Sequence, residues 1–371
     1  MSERIVAPGG TIGIFGGGQL GRMLAIAAAR LGYRTHIYAP DADPVAAQVA
    51  NAHTRGAYDD QHKMAVFASH VDVVTYEFEN VPVSAVEFLS GHVPVRPGAR
   101  SLAIAQDRWA EKAFARSLGI AMPEFGEVSG MTSLVAAVEV VGTPAVLKTA
   151  REGYDGKGQA RIDRPEDAED AWLAIGRHPA VLEERIDFLG EISVLLVRGL
   201  DGAIRCWDSP ENIHENGILM RSIVPAGAHL AGHAAAARQS AIAIAEALGH
   251  VGVLACEFFA TGDGPLFNEI APRVHNSGHW TIEGATTSQF ENHIRAVCGL
   301  PLGDVALTGE SVEMLNLIGE DTARWPALLA DDLCHLHLYG KGAASPGRKM
   351  GHATWVHRGH DRATDGGANR R

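Results

Sequence analysis

Short apolar runs alternate with stretches of helical period from residue 11 onward. Thr11–Phe15 (TIGIF) is β-rich and ends in glycines. Gln19–Leu31 carries Leu20, Met23, Leu24, Ala27 and Leu31 at helical spacing and predicts a helix. Thr35–Tyr38 predicts a second strand, closed by Pro40 and Asp41, and Val71–Tyr76 a third. Strands alternating with helices predict a parallel sheet with crossover connections. Turn residues at Pro97-Gly98 close this first unit.

Leu102–Leu118 reads as one helix with Gly119 as its C-cap. Beyond Met122-Pro123 the texture changes. Ala145–Lys148 and Gln159–Ile162 flank a glycine-rich loop, and Val181–Glu184, Glu191–Arg198, Ile204–Trp207, Val253–Phe259 and Pro265–Ile270 predict further strands. Gly199, Asp201-Gly202 and Gly262–Gly264 separate neighbouring strands, the signature of antiparallel hairpins. Ala231–Leu248 is an Ala-rich helix, and Ser311–Ile318 and Leu333–Tyr339 are strand-like. The expected class is α/β followed by α+β, with domains at 1–100, 101–300 and 301–371.

Composition narrows the function. With 46% hydrophobic and 20% charged residues over 371 positions, the chain is globular, and disordered or fibrous classes are excluded. Thirty-two basic against 44 acidic residues give a formal charge of −12, which argues against nucleic acid or an anionic membrane as partner. From Lys341 to Arg371 the balance reverses to seven basic and two acidic residues, a local cationic patch suited to a small anion. The last dozen residues read as a solvated tail. Cys206, Cys256, Cys298 and Cys334 are scattered, without zinc or redox spacing. No apolar signal core and no uncharged run near the ~20 residues of a membrane helix appear, so a soluble cytoplasmic protein is expected.

Several groups carry chemistry. Gly16-x-Gly18-x-x-Gly21 follows a strand, opens a helix and precedes Asp41 by twenty residues, satisfying a dinucleotide-binding pattern. A tight turn without ligand, or a site for a phosphate-bearing substrate, satisfies it equally. Glu77-x-Glu79-Asn80 lies at the carboxyl edge of the sheet, where open parallel sheets bind ligands. Lys148 ends an apolar strand, and Gly153–Gln159 (GYDGKGQ) is a loop whose backbone N–H groups can fold over phosphates. Val181–Ile186 runs into paired carboxylates that can serve a purine edge and ribose hydroxyls. Glu257 and Glu269 lie in apolar strands joined by a short turn, so they are expected to be neighbours in a ladder. Two such carboxylates are costly to bury unpaired, and Mg²⁺ removes that cost using one or two carboxylates plus substrate phosphates. The other reading pairs one of them with Arg273.

Together these features resemble the ATP-grasp superfamily. Gly16–Met23, Tyr76–Val81, Gln106-Asp107-Arg108, Gly153–Gln159, Glu211–His214, Asn268–His279 and Pro346–His352 narrow the resemblance to the 5-(carboxyamino)imidazole ribonucleotide synthase family. The resemblance implies an ATP-grasp domain between a Rossmann-like pre-ATP-grasp domain and a small β-rich C-terminal domain. It implies that ATP, bicarbonate and 5-aminoimidazole ribonucleotide become the N-carboxylated ribonucleotide, ADP and phosphate, through carboxyphosphate.

By the same resemblance, ATP is bound by Arg108, Lys148, Gly153, Tyr154, Asp155, Gly156, Lys157, Gly158, Gln159, Glu183, Glu184, Arg185, Ile186, Glu191 and His214. Asn268 and Glu269 border the triphosphate, and Glu257 and Glu269 hold Mg²⁺. Arg273, His275 and Asn276, with Lys148 and Asp155, form the catalytic set around the bicarbonate-derived group. Gly18, Gln19, Glu77, Tyr154, Asp155, Lys341, Arg348 and Lys349 bind the aminoimidazole ribonucleotide. A homodimer is implied.

Three other readings follow the same residues. Another ATP-grasp acyl-phosphate ligase, such as a formate-dependent glycinamide ribonucleotide transformylase, should lack Arg273–His279. An NAD-linked oxidoreductase built on Gly16–Gly21 leaves Lys148, Glu257 and Glu269 without a role. A non-catalytic nucleotide sensor binds ATP without turnover.

Overall fold

The computed structural model describes residues 5–151, 153 and 157–359. The first unit is β1 (Thr11–Phe15), α1 (Gln19–Arg30), β2 (Arg34–Ala39), β3 (Ala52–Arg55), α2 (Gln61–Ala68), β4 (Val73–Tyr76) and α3 (Val83–Ser90). Its sheet has the order β3-β2-β1-β4, and every pair is parallel, as the alternation predicts. β1 lies between two neighbours, so its apolar run is buried on both faces. Gly13 is required in that strand. A Cβ there would meet the Phe67 ring at 2.6 Å.

The expected helix over Leu102–Leu118 is two helices, α4 (Ala99–Ala105) and α5 (Arg108–Ser117). Asp107 breaks them. Its Oδ1 accepts from the N–H groups of Trp109 (3.0 Å) and Ala110 (3.3 Å), an N-cap that starts a new helix. Gln106 Nε2 donates to the carbonyls of Glu79 (2.7 Å) and Val81 (2.6 Å), tying the break to the end of β4. Gly119 follows the second helix at φ +71, where glycine carries no Cβ penalty.

Then come β5 (Phe125–Val128), α6 (Met131–Val141), β6 (Ala145–Thr149), β7 (Gln159–Ile162), α7 (Ala168–Ala174) and β8 (Ala180–Glu184). They form an antiparallel sheet of order β5-β8-β6-β7 over a small core of their own. The remaining strands make one large sheet. They are β9 (Gly190–Arg198), β10 (Ile204–Cys206), β11 (Glu211–Glu215), β12 (Ile218–Val224), β13 (Gly252–Thr261), β14 (Gly264–Ala271), β15 (Ser311–Ile318), β16 (Cys334–Leu338) and β17 (Lys349–His357). α8 (Ala231–Leu248), α9 (Thr281–Gly284), α10 (Gln289–Cys298) and α11 (Trp325–Leu329) complete the fold. The order is β14-β13-β9-β11-β12-β15-β17-β16, with β10 beside β9. The C-terminal strands therefore extend the central sheet through the β12–β15 pair. Residues 360–371, read above as a tail, lie outside the described residues.

Two buried histidines fasten the first unit and α4 to this sheet. The Val253 N–H donates to His293 Nδ1 at 3.0 Å, so Nε2 carries the proton and donates to Thr75 Oγ1 at 2.8 Å. His250 bonds the Val253 carbonyl and Ser101 Oγ. Burial pushes His250 down to about 4 and His293 down to about 3. Between these values and the unfolded value of 6.5, the unfolded chain binds protons that the native one does not. Stability is therefore full above that range and falls as pH drops. From about pH 7 to about pH 5 each histidine is expected to remove about 2 kcal/mol. Urea midpoints at the two pH values check this, and His293→Gln should flatten the difference.

Candidate active site

Lys148 reaches the site from β6. Val146 lies opposite Glu183 in the β6–β8 ladder, so Lys148, two residues on, shares the face of Glu183. The Lys148 ammonium donates to Glu183 Oε2 at 2.9 Å and lies 3.5 Å from Asn268 Oδ1. Lys112 approaches the same carboxylate oxygen at 3.3 Å and donates to the Asn268 carbonyl. Burial raises the proton affinity of Glu183, but Lys148 and Lys112 outweigh it and hold its carboxyl at about 2. Lys112 is itself pushed down by burial, against the pull of Glu183. Glu183 was expected to offer a carboxylate to a nucleotide. It is buried at 1% exposure, with Oε2 between Lys148 and Lys112 and Oε1 without a protein partner. Glu184 and Arg185, next along the chain, are exposed, and Arg185 pairs with Asp163.

The two carboxylates expected to be neighbours are in register. Glu257 on β13 pairs with Glu269 on β14, and a bulge follows Glu257. Burial, then the charge of Glu269, push Glu257 up to about 7. Arg108 Nη1 donates to Glu269 Oε2 at 3.0 Å, so Arg108 rather than Arg273 is its ion-pair partner. Burial opposes the charge of Arg108, but Glu269, Glu183 and Glu111 raise it further. Glu111 Oε1 accepts from the Ile270 N–H at 2.7 Å, and burial pushes Glu111 up to about 8. Among the described residues no cluster of three or more His, Cys, Asp or Glu is arranged to hold a metal ion.

At the carboxyl edge of the first sheet, Arg273 forms an ion pair with Glu79. Burial would raise Glu79, and Arg273 outweighs it and lowers it. Glu77 closes the glycine turn: its carboxylate accepts from the N–H groups of Gly18 (2.8 Å) and Gly21 (3.3 Å). A Cβ on Gly16, at φ +114, would sit 2.7 Å from Glu77 Oε1. The anion-binding donors of that turn are thus taken by the chain's own carboxylate, and the dinucleotide reading loses its phosphate site. Gln19 is half-buried beside it.

His214 Nδ1 lies 3.1 Å from Glu191 Oε2. Burial lowers the imidazole, but Glu191 outweighs it and raises it. His275 Nδ1 lies 3.8 Å from Glu257 Oε1. Burial, then Arg273 and Lys349, push His275 well down. Both side-chain amide atoms of Asn276 are buried without a protein partner. The charge of Lys349, at the start of β17, acts on Glu79, Glu257, His214 and His275. Lys341 stands 5.6 Å over the Tyr339 ring, and exposed Arg348 donates to the Ala343 carbonyl.

The glycine-rich loop returns to β7 through Gly158, whose carbonyl accepts from the Thr149 N–H at 2.8 Å. A Cβ on Gly153 would lie 3.9 Å from Arg108 Nη2, which puts that end of the loop beside the triphosphate candidates. Lys157 and Gln159 are exposed at the other end. Tyr154, Asp155 and Gly156 lie outside the described residues. Sequence reasoning missed Glu111 and Lys112. The signal was present, because Arg108, Glu111, Lys112 and Ala115 share one face of α5 and three of the four are charged.

Family comparisons agree with this layout. The ribonucleotide synthetase preATP-grasp domain matches residues 10–106, the ATP-grasp domain residues 113–290, and the phosphoribosylaminoimidazole carboxylase C-terminal domain residues 313–365. An N5-carboxyaminoimidazole ribonucleotide synthase of Brucella melitensis is 48% identical over 359 residues, covering 96% of this chain and 99% of the relative. The chain belongs to the N5-carboxyaminoimidazole ribonucleotide synthase family. As a synthase of this family it is an ATP-grasp ligase. A solved synthetase of the family in complex with ADP superposes with a TM-score of 0.92 at 40% identity, covering 95% of this chain and 94% of the other. The Aspergillus clavatus synthase, solved with ADP and 5-aminoimidazole ribonucleotide, superposes with a TM-score of 0.88 at 30% identity, with 94% of each chain covered.

Proposed function

We propose that this chain carboxylates the amine of 5-aminoimidazole ribonucleotide, using ATP and bicarbonate, as a step of purine synthesis. One observation carries the reading. His275, from the segment Arg273–His279, lies 3.8 Å from Glu257, so the family-specific segment and the carboxylate pair form one site. Arg108 reaches Glu269 of the same pair, and Lys148 lies 3.5 Å from the Oδ1 of Asn268, the neighbour of Glu269 in the chain.

The donor set fits Mg²⁺. Glu257 and Glu269 are in register, the proton affinity of Glu257 is raised by burial and by its neighbour, and ATP phosphates complete a coordination shell that two carboxylates cannot. When bound, the ion supplies charge neutralisation at the triphosphate. The chain's own residues do the rest. Lys148, Arg108 and the backbone of Gly153–Gln159 hold the phosphates, and Glu191 and His214 flank the nucleotide.

Bicarbonate oxygen attacks the γ-phosphorus, the bond to the bridging oxygen breaks, and ADP leaves, giving carboxyphosphate. Arg273, His275 and Asn276 hold its carboxyl group. The substrate amine then attacks the carboxyl carbon, its proton leaves, and phosphate departs. Positioning and electrostatics lower this barrier, and the loop excludes water while the acyl phosphate survives. Lys341, Arg348 and Lys349 supply the cations for the ribonucleotide phosphate. Tyr154 and Asp155 belong to the same proposal at the aminoimidazole. Glu77 and the turn at Gly18 and Gln19 shape that pocket from behind. The family membership also supports a cytoplasmic homodimer, which sedimentation and fractionation test.

The deciding experiment measures ADP release with Mg²⁺ and labelled bicarbonate, with and without 5-aminoimidazole ribonucleotide. Strong stimulation is expected, with one bicarbonate carbon incorporated per ADP. Nucleotide binding without stimulation would overturn the reading.

A further inference from the structure

We propose that Gln106 is a positioning residue for Arg273: it holds Glu79, and through Glu79 the Arg273 guanidinium, in register with the Arg108–Glu269 pair. Gln106 has no part in the reaction above, although Arg108, two residues on, does. It is half-buried in the break between α4 and α5. Its Nε2 donates to the carbonyls of Glu79 at 2.7 Å and Val81 at 2.6 Å. Both partners are carbonyl oxygens, which only accept. The amide therefore has one orientation, with its two N–H groups towards the turn and Oε1 away from it.

These bonds close a circuit through both ends of the site. Glu79 is the ion-pair partner of Arg273. Arg273 lies two residues beyond β14, which carries Glu269. Glu269 accepts from Arg108 at 3.0 Å, and the Arg108 N–H donates to the Ala150 carbonyl at 3.0 Å. Two residues back along the chain is Gln106 again. The turn that carries Glu79 is loosely bonded to itself: the Val81 N–H reaches the Phe78 carbonyl at 3.4 Å. Gln106 adds two shorter bonds to that turn. Without them the Glu79–Arg273 pair can still form, but its turn is no longer tied to the segment that carries Arg108.

The reaction makes this register matter. Arg273 is placed at the bicarbonate-derived carboxyl group and Arg108 at the triphosphate. Transfer between the two depends on the spacing of their guanidinium groups, because a reacting pair must be held in line and in contact. Gln106 acts on that spacing without touching either substrate. This consequence rests on the proposed function; the hold on Arg273 does not. Restraining Glu79 in advance also lowers the ordering cost of its ion pair, so the pair stays closed more of the time.

The experiment compares the full-length protein with Gln106→Met, which keeps the length of the side chain and removes both donors. The first readout is ¹⁵N-arginine NMR without substrates, with Arg273 assigned from an Arg273→Lys spectrum. In Gln106→Met the Arg273 Nε–H should exchange with water about tenfold faster, because the freed turn lets the ion pair open more often. The buried Arg96, which donates to the Val297 carbonyl, should not change. The second readout is ADP release. kcat/KM for bicarbonate should fall by about 10-fold to 10²-fold, with KM for ATP unchanged. Glu79→Gln should give a similar loss, and the double variant no more than the larger single one, because both act on Arg273. Gln106→Asn, whose amide is one carbon short of the turn, should show the same changes in smaller measure. A loss that also moves Arg96 and the KM for ATP is a general loosening and overturns the proposal. So does an unchanged Arg273 signal in a folded variant. So does a wild-type Arg273 Nε–H that exchanges as fast as an exposed arginine, which needs no variant. A faster Arg273 signal with unchanged bicarbonate kinetics would uphold Gln106 and remove Arg273 from the bicarbonate site.

Discussion

Glu269→Gln is expected to abolish ATP turnover, by a factor of about 10³ or more, while leaving a folded protein. The substitution keeps the shape of the side chain and removes its charge. Glu257 then faces an amide across the ladder and is left as the only carboxylate at that rung of the pair. Arg108 also loses the carboxylate it meets at 3.0 Å. Both effects fall on the triphosphate, one through the proposed ion and one through a guanidinium without its partner. Steady-state ADP release checks the loss, and circular dichroism checks the fold. Near-normal turnover would remove the metal assignment from Glu269.

Glu183→Gln is expected to act on stability as strongly as on activity. Glu183 is the shared counter-charge of Lys112 and Lys148, at 3.3 Å and 2.9 Å, and burial keeps water from replacing it. Removing one partner of a buried pair costs about 3–5 kcal/mol. The acid behaviour gives a second estimate. The carboxyl sits near 2 in the native protein against 4.5 unfolded, so the unfolded chain binds the proton first as pH falls. The stabilisation is full above the unfolded value, is lost as pH drops towards the folded one, and amounts to about 3 kcal/mol. Thermal melts near neutral pH should show a loss of roughly 5 °C. Replacing Lys112 by Met in the same protein should restore part of it. No change in either melt would show that the two lysines do not depend on Glu183.

Parts of this architecture were legible in the chain and parts were not. The helix over Ala231–Leu248 and the strand over Ser311–Ile318 have the bounds that their patterns predict. β11, β12 and β17 were not anticipated. β17 (KMGHATWVH) mixes glycine, histidine and alanine, and it is a strand because β15 and β16 pair with it from both sides. The Glu257–Glu269 pair was legible because carboxylates are conspicuous in apolar strands and a short turn fixes their register. The direction of Glu183 was not. Glu183 and Glu184 alternate across β8, and only the two lysines on the inner side decide which of them turns in. The glycine turn was legible as a turn, but its occupant, Glu77, comes from the end of another strand. Such long-range partners leave no local periodicity.

The continuity of the large sheet has a practical consequence for dissecting the chain. β12 carries β15 on its outer side along Arg221–Val224, and β15 carries β17 and with it Lys349. A chain cut before Ser311 would not release a tidy nucleotide-binding core. It would bare the backbone donors and acceptors of β12, a ready template for the same strand of another molecule, and self-association would follow. The strand that carries Lys349 thus sits behind a cover, β15, whose removal would leave an open sheet edge on β12.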